Sequence, residues 1–494
     1  MSADPGSWDV AIIGAGVVGT AIARALATFD LRCVLLDAAD DVGAGTSKAN
    51  TAILHTGFDA KPGSLESRLL TRGSGLLRSY AEAAGIAVER TGAVLVAWTA
   101  EQAAALESIA GNARSNGYQA VCELSAAGIY EREPALGPGA LAGLAIPDES
   151  VIDPWTVPLA FATEAVRAGV TLRLGARVTG LPASAGPGFE LATTRGPVRC
   201  GWAVNAAGLH SDEVDRMFGG EGFTIRPRKG ELIVYDKLAR PLVSSILLPV
   251  PTARTKGVLV APTVFGNVLL GPTAEDVPDR GDVSTTAAGL SALVAAGERI
   301  VPGLAGEEVT ATYAGLRAAT EHTDYQIAAF GRYVRVAGIR STGLSASLGI
   351  AEHVLDLLAD ADLPLRPRDA ARVTPVPASA PASIPAPARN GPACMRGRDH
   401  ERLASAPPMP YLGESGPRPY QDPDRIAADP AYGEIVCHCE RVTRGEIRDA
   451  LASDIPPGSL EGLRRRTRAM NGRCQSFYCA ARVTQMFLAG VRTS

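Results

Sequence analysis

The sequence has no long apolar run: no stretch of about 18 residues is free enough of polar side chains to predict a membrane-spanning helix. Residues 1–8 contain neither a basic region nor an apolar core, so a secretory signal is not expected. Basic and acidic residues nearly balance, 48 against 52, which leaves no surplus of positive charge for nucleic-acid binding. We therefore expect a cytoplasmic protein and leave open a peripheral contact with the inner membrane face.

Cysteines are also few, and they are unevenly placed. Eight of them in 494 residues do not suggest a disulfide framework, which is typical of short secreted chains. Four are scattered and fit small buried side chains or surface thiols: Cys33, Cys122, Cys200 and Cys394. The other four crowd near the end of the chain, as Cys437, Cys439, Cys474 and Cys479. That crowding requires a chemical explanation.

The chain is too long for one hydrophobic core, so two or three domains are expected. Residues 373–388 read VTPVPASAPASIPAPA, a composition that favours a semi-rigid linker over a helix or sheet interior. Before it, apolar runs alternate with helical patterns, which is typical of a parallel α/β sheet. A turn at residues 265–267 between two apolar runs predicts a hairpin, and hence an antiparallel sheet in a second domain.

A glycine motif near the beginning predicts a dinucleotide site. Gly14, Gly16 and Gly19 follow an apolar run and open a helical pattern. These positions suit a tight turn, a close backbone approach to pyrophosphate, and close packing of helix on strand, respectively. Asp37 ends the second apolar run, where a carboxylate can accept bonds from a ribose hydroxyl.

Three later segments resemble the D-amino-acid-oxidase-like flavoproteins. Residues 42–59, VGAGTSKANTAILHTGFD, resemble their flavin-contacting loop, and residues 205–208 and 334–346 resemble their second and third cofactor elements. The resemblance implies FAD. It also implies cofactor contacts in these segments from Thr46, Ser47, Asn50, Thr51, Ala207, Gly208, Gly338, Gly343 and Leu344.

The resemblance also sets the expected fold class, α/β with an α+β substrate domain. A Rossmann-like FAD domain is built from about residues 1–90, 150–215 and 330–362, and an antiparallel-sheet substrate domain is inserted at about 91–149 and 216–329. Together they make an oxidoreductase region of residues 1–365. We expect a Pro-rich linker at 366–428 and a small helical domain at 429–494.

Two motifs resemble the glycerol-3-phosphate dehydrogenases and oxidases within this group: HTGFDAKPGSL at residues 55–65 and PRKGE at 227–231. The L-2-hydroxyglutarate oxidases share much of this pattern. The sequence departs from the family at Asp37, where Glu is usual, at Phe58, where Tyr is frequent, and at residues 340–342, where RST replaces ESP. The last departure adds the positive charge of Arg340 near the flavin entrance.

Oxidising a secondary alcohol with FAD requires a hydride acceptor, a base and a group that holds the substrate's anion. Flavin N5 is the acceptor, and His55 is our candidate base; a histidine that only holds its loop is the alternative. The resemblance places Arg317 as the anion holder, although a surface ion pair is possible. Arg228, Lys229 and Arg340 are weaker substrate-binding candidates.

The four late cysteines follow a C-x-C … C-x4-C spacing, which suits a metal centre of four thiolates. Zinc is an alternative, although C-x-C is tight for a zinc knuckle. The surrounding residues resemble bacterioferritin-associated-ferredoxin-like domains, which implies one 2Fe–2S cluster on Cys437, Cys439, Cys474 and Cys479. The basic run at residues 464–468 fits either a docking site for an acidic or membrane-bound acceptor or a solvated helix face.

Together these features predict an enzyme that oxidises sn-glycerol 3-phosphate to dihydroxyacetone phosphate. Electrons would then pass through the cluster to a quinone or a partner subunit. L-2-hydroxyglutarate, another 2-hydroxy acid or a polyol phosphate are alternative substrates. A non-catalytic electron-transfer subunit is the alternative from another class, but a pure relay needs neither His55 nor Arg317.

Overall fold

A computed structural model describes residues 7–183, 187–251, 257–368 and 406–491 of the chain. In chain order its strands are β1 (Ser7–Ile13), β2 (Cys33–Leu36), β3 (Ile53–Leu54), β4 (Val88–Glu89), β5 (Ala93–Ala97), β6 (Cys122–Ser125), β7 (Ala142–Ile146), β8 (Ser150–Ile152), β9 (Thr171–Arg173), β10 (Val178–Gly180), β11 (Phe189–Thr193), β12 (Val198–Asn205), β13 (Arg226–Tyr235), β14 (Ile246–Pro249), β15 (Leu259–Pro262), β16 (Val268–Gly271), β17 (Glu275–Asp276), β18 (Val309–Ala319), β19 (Gln326–Phe330), β20 (Tyr333–Ala337), β21 (Ile435–Cys437) and β22 (Val442–Thr443).

The helices come from the same parts of the chain. They are α1 (Val17–Leu26), α2 (Leu65–Ala84), α3 (Ala100–Ser115), α4 (Ala126–Arg132), α5 (Thr156–Arg167), α6 (Ser211–Met217), α7 (Ala287–Ile300), α8 (Gly343–Asp360), α9 (Pro423–Ala428), α10 (Arg444–Leu451), α11 (Leu460–Thr467) and α12 (Ala480–Val491). No helix of the described residues is long and apolar enough to cross a membrane.

The first sheet carries the glycine motif. Its strands run in the order β10-β11-β12-β1-β2-β9, with β20 joined to β12 and β19 joined to β20. β1 pairs in parallel with β2 and β12, and β20 extends the parallel set beside β12. The helix that follows β1 packs on α5 and α8, and together they cover an apolar core. The prediction of a discontinuous α/β domain is therefore confirmed, since these strands come from three separated stretches.

Glycines bring α2 and α8 close together. A Cβ atom at Gly349 would lie 2.3 Å from the carbonyl oxygen of Leu69, and one at Gly73 would lie 2.7 Å from that of Ser345. Only glycine allows such an approach of two helix backbones, because any side chain would overlap the facing carbonyl. This contact fixes α8, whose first turn faces the site described below.

The second sheet has the order β17-β13-β16-β15-β14-β5-β7-β6, and β18 pairs with β13. It is antiparallel as expected, except that β14 pairs with β5 in parallel. The expected hairpin is present as β15 and β16. One face packs on α3 and the other on α4 and α7.

The last part of the described chain packs against the domains of both the first and the second sheet. In the region expected to be linker, Ala406 and Met409 pack against the core of the first domain, and Leu412, whose side chain is only 2% exposed, packs into the second domain. The hairpin of β21 and β22 and the helices α10–α12 then form a small domain with its own apolar core. Its largely helical make-up was predicted. The proline-rich residues 373–388 lie outside the described residues.

Candidate active site and cysteine cluster

A cavity of about 1400 Å³ lies between the two sheets. All of the expected cofactor-contacting residues except Gly19 line it, together with His55, Arg228, Arg317 and Arg340. The three separated cofactor segments of the sequence therefore meet at one place.

The glycines shape the turn at the bottom of this cavity. Gly14 has a φ of +109°, and a Cβ atom there would lie 2.4 Å from the carbonyl oxygen of Ala206. A Cβ atom at Gly19 would lie 1.8 Å from the carbonyl oxygen of Gly14, so Gly19 serves helix packing and does not line the cavity. Gly16 is the N-cap of α1, whose N-terminal end offers N–H groups to an anion.

Polar side chains surround this turn. Asp37 accepts hydrogen bonds from the N–H groups of Ala15 (2.5 Å) and Ala39 (2.7 Å). Burial raises the pKa of this carboxyl group above its ordinary value, and the two N–H bonds oppose that rise only in part. The Ser47 hydroxyl accepts from the N–H of Val17 at 3.0 Å. A nucleotide with a pyrophosphate and a ribose fits this arrangement.

The first turn of α8 closes another side of the cavity. The Thr342 hydroxyl donates to Glu66 at 2.7 Å and meets the Tyr325 hydroxyl at 2.6 Å. Arg340 donates to the carbonyl oxygen of Thr323 (2.7 Å) and lies 3.7 Å from Glu66. The positive charge that departs from the family pattern is therefore partly balanced by a neighbouring carboxylate.

His55 faces the cavity and is held by a residue that the sequence analysis missed. Its Nδ1 lies 3.0 Å from Oε2 of Glu149, just before β8. The other oxygen, Oε1, accepts from the backbone N–H (2.6 Å) and the hydroxyl (2.9 Å) of Thr56. The side chain of Glu149 is 0% exposed. No motif in the sequence marks this carboxylate.

Arg317 is a cation of the cavity whose side chain forms no hydrogen bond or ion pair with any described residue. Burial, and then the neighbouring charge of Arg228, lower the pKa of its guanidinium. Arg228 lies beside it but pairs with Asp276 at 2.6 and 3.0 Å. An unpaired guanidinium in a cavity is suited to bind an anion.

Lys229 does not line the cavity. Because side chains alternate along a strand, Lys229 on β13 points away from the face that carries Arg228, and it pairs with Asp282 at 2.9 Å. Its placement argues against the substrate role we expected for it.

The four late cysteines come together as two pairs. Cys479 lies close enough to Cys437 for the two thiols to affect each other's ionisation, and so does Cys439 to Cys474; Cys437 also acts on Cys439, and Cys474 on Cys479. Burial, followed by the neighbouring Cys437, raises the pKa of Cys479 to about 12. Although burial opposes it, N–H donors from residues 476–478 and the Cys439 thiol hold the pKa of Cys474 below its ordinary value.

This arrangement bears on the kind of metal centre. Among the described residues, no three His, Cys, Asp or Glu side chains form a group suited to one ion. Two neighbouring thiol pairs instead match the four thiolates of a 2Fe–2S cluster. The donor set fits a cluster better than a single zinc ion, which needs four ligands around one point.

The basic run at residues 464–468 turns largely inward, so the expected external docking role and the solvated face are both wrong for most of it. Arg466 bonds the buried carboxylate of Asp41 at 2.6 and 2.7 Å, and Arg465 reaches the same carboxylate at 2.8 Å. Arg468 pairs with Glu440 at 2.9 Å. The run therefore joins the small domain to the loop that follows Asp37.

A second contact fixes the cysteine loop. Arg473 bonds Asp236, just after β13, at 2.6 and 3.1 Å, and Gln475 donates to the carbonyl oxygen of Thr310 in β18. Burial opposes ionisation of Asp236, but the Arg473 guanidinium and the N–H of Leu238 outweigh it, so its pKa is lowered. Cys474 thus lies at one end of the strand pair that carries Arg317 near its other end.

Comparison with known families agrees with both parts of the chain. Residues 9–357 match the family of FAD dependent oxidoreductases, and residues 435–488 match the BFD-like [2Fe-2S] binding domain. The predictions of FAD, of a 2Fe–2S domain and of an oxidoreductase are therefore confirmed.

Individual relatives cover most of the chain. A glycerol 3-phosphate dehydrogenase of Caloramator mitchellensis is 31% identical over 97% of this chain and 93% of its own length. A glycerol 3-phosphate oxidase of Mycoplasma pneumoniae is 27% identical over 71% of this chain and 94% of its own length. The solved, FAD-bound structure of L-alpha-glycerophosphate oxidase from that organism superposes with a TM-score of 0.69 at 26% identity, over 74% of this chain and 97% of its own.

Proposed function

Since the chain belongs to the FAD-dependent oxidoreductase family, we propose that it oxidises sn-glycerol 3-phosphate to dihydroxyacetone phosphate. The observation that carries the proposal is Arg317, which has no partner among the described residues and lines the same cavity as His55 and the cofactor residues. The names of the relatives that cover most of the chain support the choice of substrate.

Arg317 binds the phosphate of this substrate. Its guanidinium can donate two parallel bonds to two phosphate oxygens, which fixes position as well as charge. Binding an anion also offsets the free-energy cost of keeping the half-buried guanidinium of Arg317 without a counter-ion. Arg228, whose charge Asp276 already balances, contributes less.

His55 takes the proton of the substrate's hydroxyl group. The oxidation removes a hydride from carbon and a proton from oxygen, so two electrons and two protons leave the alcohol as a ketone forms. FAD supplies the hydride acceptor at N5 when bound. His55 accepts the proton at Nε2, the ring nitrogen that no described residue occupies.

Cys437, Cys439, Cys474 and Cys479 would hold the 2Fe–2S cluster, which would supply one-electron transfer between the flavin and a quinone or a partner subunit. A quinone would take up two electrons and two protons to become a quinol, which balances the oxidation of one alcohol.

The proposal is tested by anaerobic reduction of the bound flavin. Under nitrogen, glycerol 3-phosphate should bleach the flavin absorbance in a single turnover, whereas glycerol, which lacks the anion, should act far more slowly. Bleaching by L-2-hydroxyglutarate alone would reassign the substrate. This second candidate has support from the L-2-hydroxyglutarate dehydrogenases of mitochondria, of which the human protein is 28% identical over 55% of this chain. No bleaching by any alcohol would favour the electron-transfer subunit.

A further inference from the structure

We infer that Glu149 is the positioning residue of the active site: it fixes the tautomer of His55 so that Nε2 faces the substrate without a proton. The inference rests on the proposed function, because it takes His55 as the base. Glu149 itself does not face the substrate and acts through the imidazole ring.

The hydrogen bonds of Glu149 fix both its own carboxylate and the imidazole ring of His55. Oε1 accepts two bonds from Thr56, and Oε2 faces Nδ1 of His55 at 3.0 Å. An ionised carboxylate only accepts hydrogen bonds, so Nδ1 must be the donor and must carry the proton of the neutral ring. The other nitrogen, Nε2, is then a free acceptor. The backbone N–H of His55 is also held, by the Ser345 hydroxyl at 2.9 Å.

Charge supports the same role. Glu149 is fully buried, and among the described residues His55 is the only possible cation within ion-pair distance of it. Arg78, whose charge also acts on Glu149, donates instead to the Ser150 hydroxyl (2.9 Å) and the carbonyl oxygen of Asp148 (2.8 Å). When Nε2 takes a proton, the imidazolium that forms therefore meets a buried negative charge. This is the orienting role of the third group in activated catalytic sites.

The arrangement makes Glu149→Gln an informative substitution. The two donors of Thr56 require an acceptor, so the amide oxygen of Gln should occupy the Oε1 side. The amide NH₂ group would then face Nδ1 of His55, which must become an acceptor. The ring proton would move to Nε2, and the nitrogen facing the substrate would no longer accept a proton.

The experiment measures anaerobic flavin reduction by glycerol 3-phosphate across a concentration series. Glu149→Gln should slow the limiting rate by about 10²–10⁴-fold, the usual contribution of general base catalysis. The apparent substrate Kd should change little, because Arg317 holds the anion. Glu149→Asp keeps the carboxylate and should recover part of the rate. Glu352→Gln, the same change in an exposed ion pair with Arg72, should leave the rate unaltered.

A spectroscopic measurement needs no active variant. In ¹⁵N-histidine-labelled protein, the His55 resonances, assigned by their loss in His55→Gln, should show Nδ1 protonated and Nε2 unprotonated. In Glu149→Gln the two should exchange roles. If Nε2 carries the proton in the parent protein, or if Glu149→Gln reduces flavin at the parental rate, the inference is wrong. If the parent flavin is not bleached at all, the proposed function fails instead, and the NMR result still decides the tautomer.

Discussion

Arg228 and Arg317 lie directly opposite each other on β13 and β18, yet among the described residues only Arg228 has a counter-ion. Asp276 neutralises Arg228, and burial together with the charge of Arg228 lowers the pKa of Arg317. Two adjacent guanidinium groups thus differ in role because of a single carboxylate. In the proposed function, the substrate's anion is the partner of Arg317.

Replacing Arg317 with Met should weaken binding of glycerol 3-phosphate by about 10²–10³-fold, since two charge-assisted hydrogen bonds are lost. Arg228→Met is the matched control and should weaken it much less. Stopped-flow titration of anaerobic flavin reduction gives both constants. Equal effects of the two substitutions would contradict the assignment of Arg317 as the anion holder.

His55→Gln should retain FAD but reduce it about 10²–10⁴-fold more slowly with substrate. The residue is joined to Glu149 and borders the cofactor segments without being part of the nucleotide turn. Flavin content and the rate of bleaching are measured on the same sample. A normal rate would assign His55 to the structure of its loop.

FAD affinity should fall as the pH drops through the raised pKa of Asp37. Burial raises this pKa, so the carboxyl group gains a proton at a higher pH than an exposed aspartate and then accepts poorly from a ribose hydroxyl. The folded state binds that proton more readily than the unfolded state, so this group favours folding at low pH and not at high pH. FAD release, followed by fluorescence, should therefore precede acid unfolding, followed by circular dichroism. Asp37→Asn should bind FAD more weakly and lose this pH dependence.

Cys474→Ser should abolish the cluster and leave the flavin reducible by substrate. The sulfur belongs to one of the two thiol pairs, whereas α11 is held to the rest of the chain by separate arginine contacts. Iron analysis and anaerobic bleaching test the two statements. Reoxidation by a quinone analogue should be slow, and a parental rate of reoxidation would place the cluster outside the electron route.

Asp41→Asn should destabilise the protein by about 3–5 kcal/mol, because it breaks a buried ion pair and leaves Arg466 without its counter-ion. The exposed pair of Arg167 and Asp454, which also joins the small domain to α5, is the control, and Asp454→Asn should cost at most about 1 kcal/mol. Chemical denaturation of FAD-loaded protein measures both. Similar small losses would show that the Asp41 contact does not hold the domain.

Local patterns predicted the first domain well. The strand, glycine turn and helix at Gly14 are encoded within a few neighbouring residues, so the turn could be inferred without knowing the rest of the fold. The C-x-C and the C-x4-C spacings are each local as well. Lys229 could have been placed correctly as well, because alternation on a strand puts it on the face opposite Arg228.

Such local patterns could not predict which residues pair when they lie far apart in the sequence. Glu149 lies 94 residues from His55, and Asp41 lies 425 residues from Arg466. The sequence alone does not show whether a carboxylate is solvated or buried, because its partner depends on how distant segments pack. The arginine run was misjudged for this reason: composition gives its charge but not the buried aspartate that it meets.

The contact between Asp41 and Arg466 also sets an order of events during synthesis. At about 5–20 residues per second, the ribosome needs roughly 20–85 s to proceed from one to the other. During that interval the loop after the nucleotide turn is complete, but its carboxylate has only solvent to neutralise it. This contact therefore cannot form before the small domain has been synthesised, so the docking of that domain through Asp41 belongs to the late part of folding.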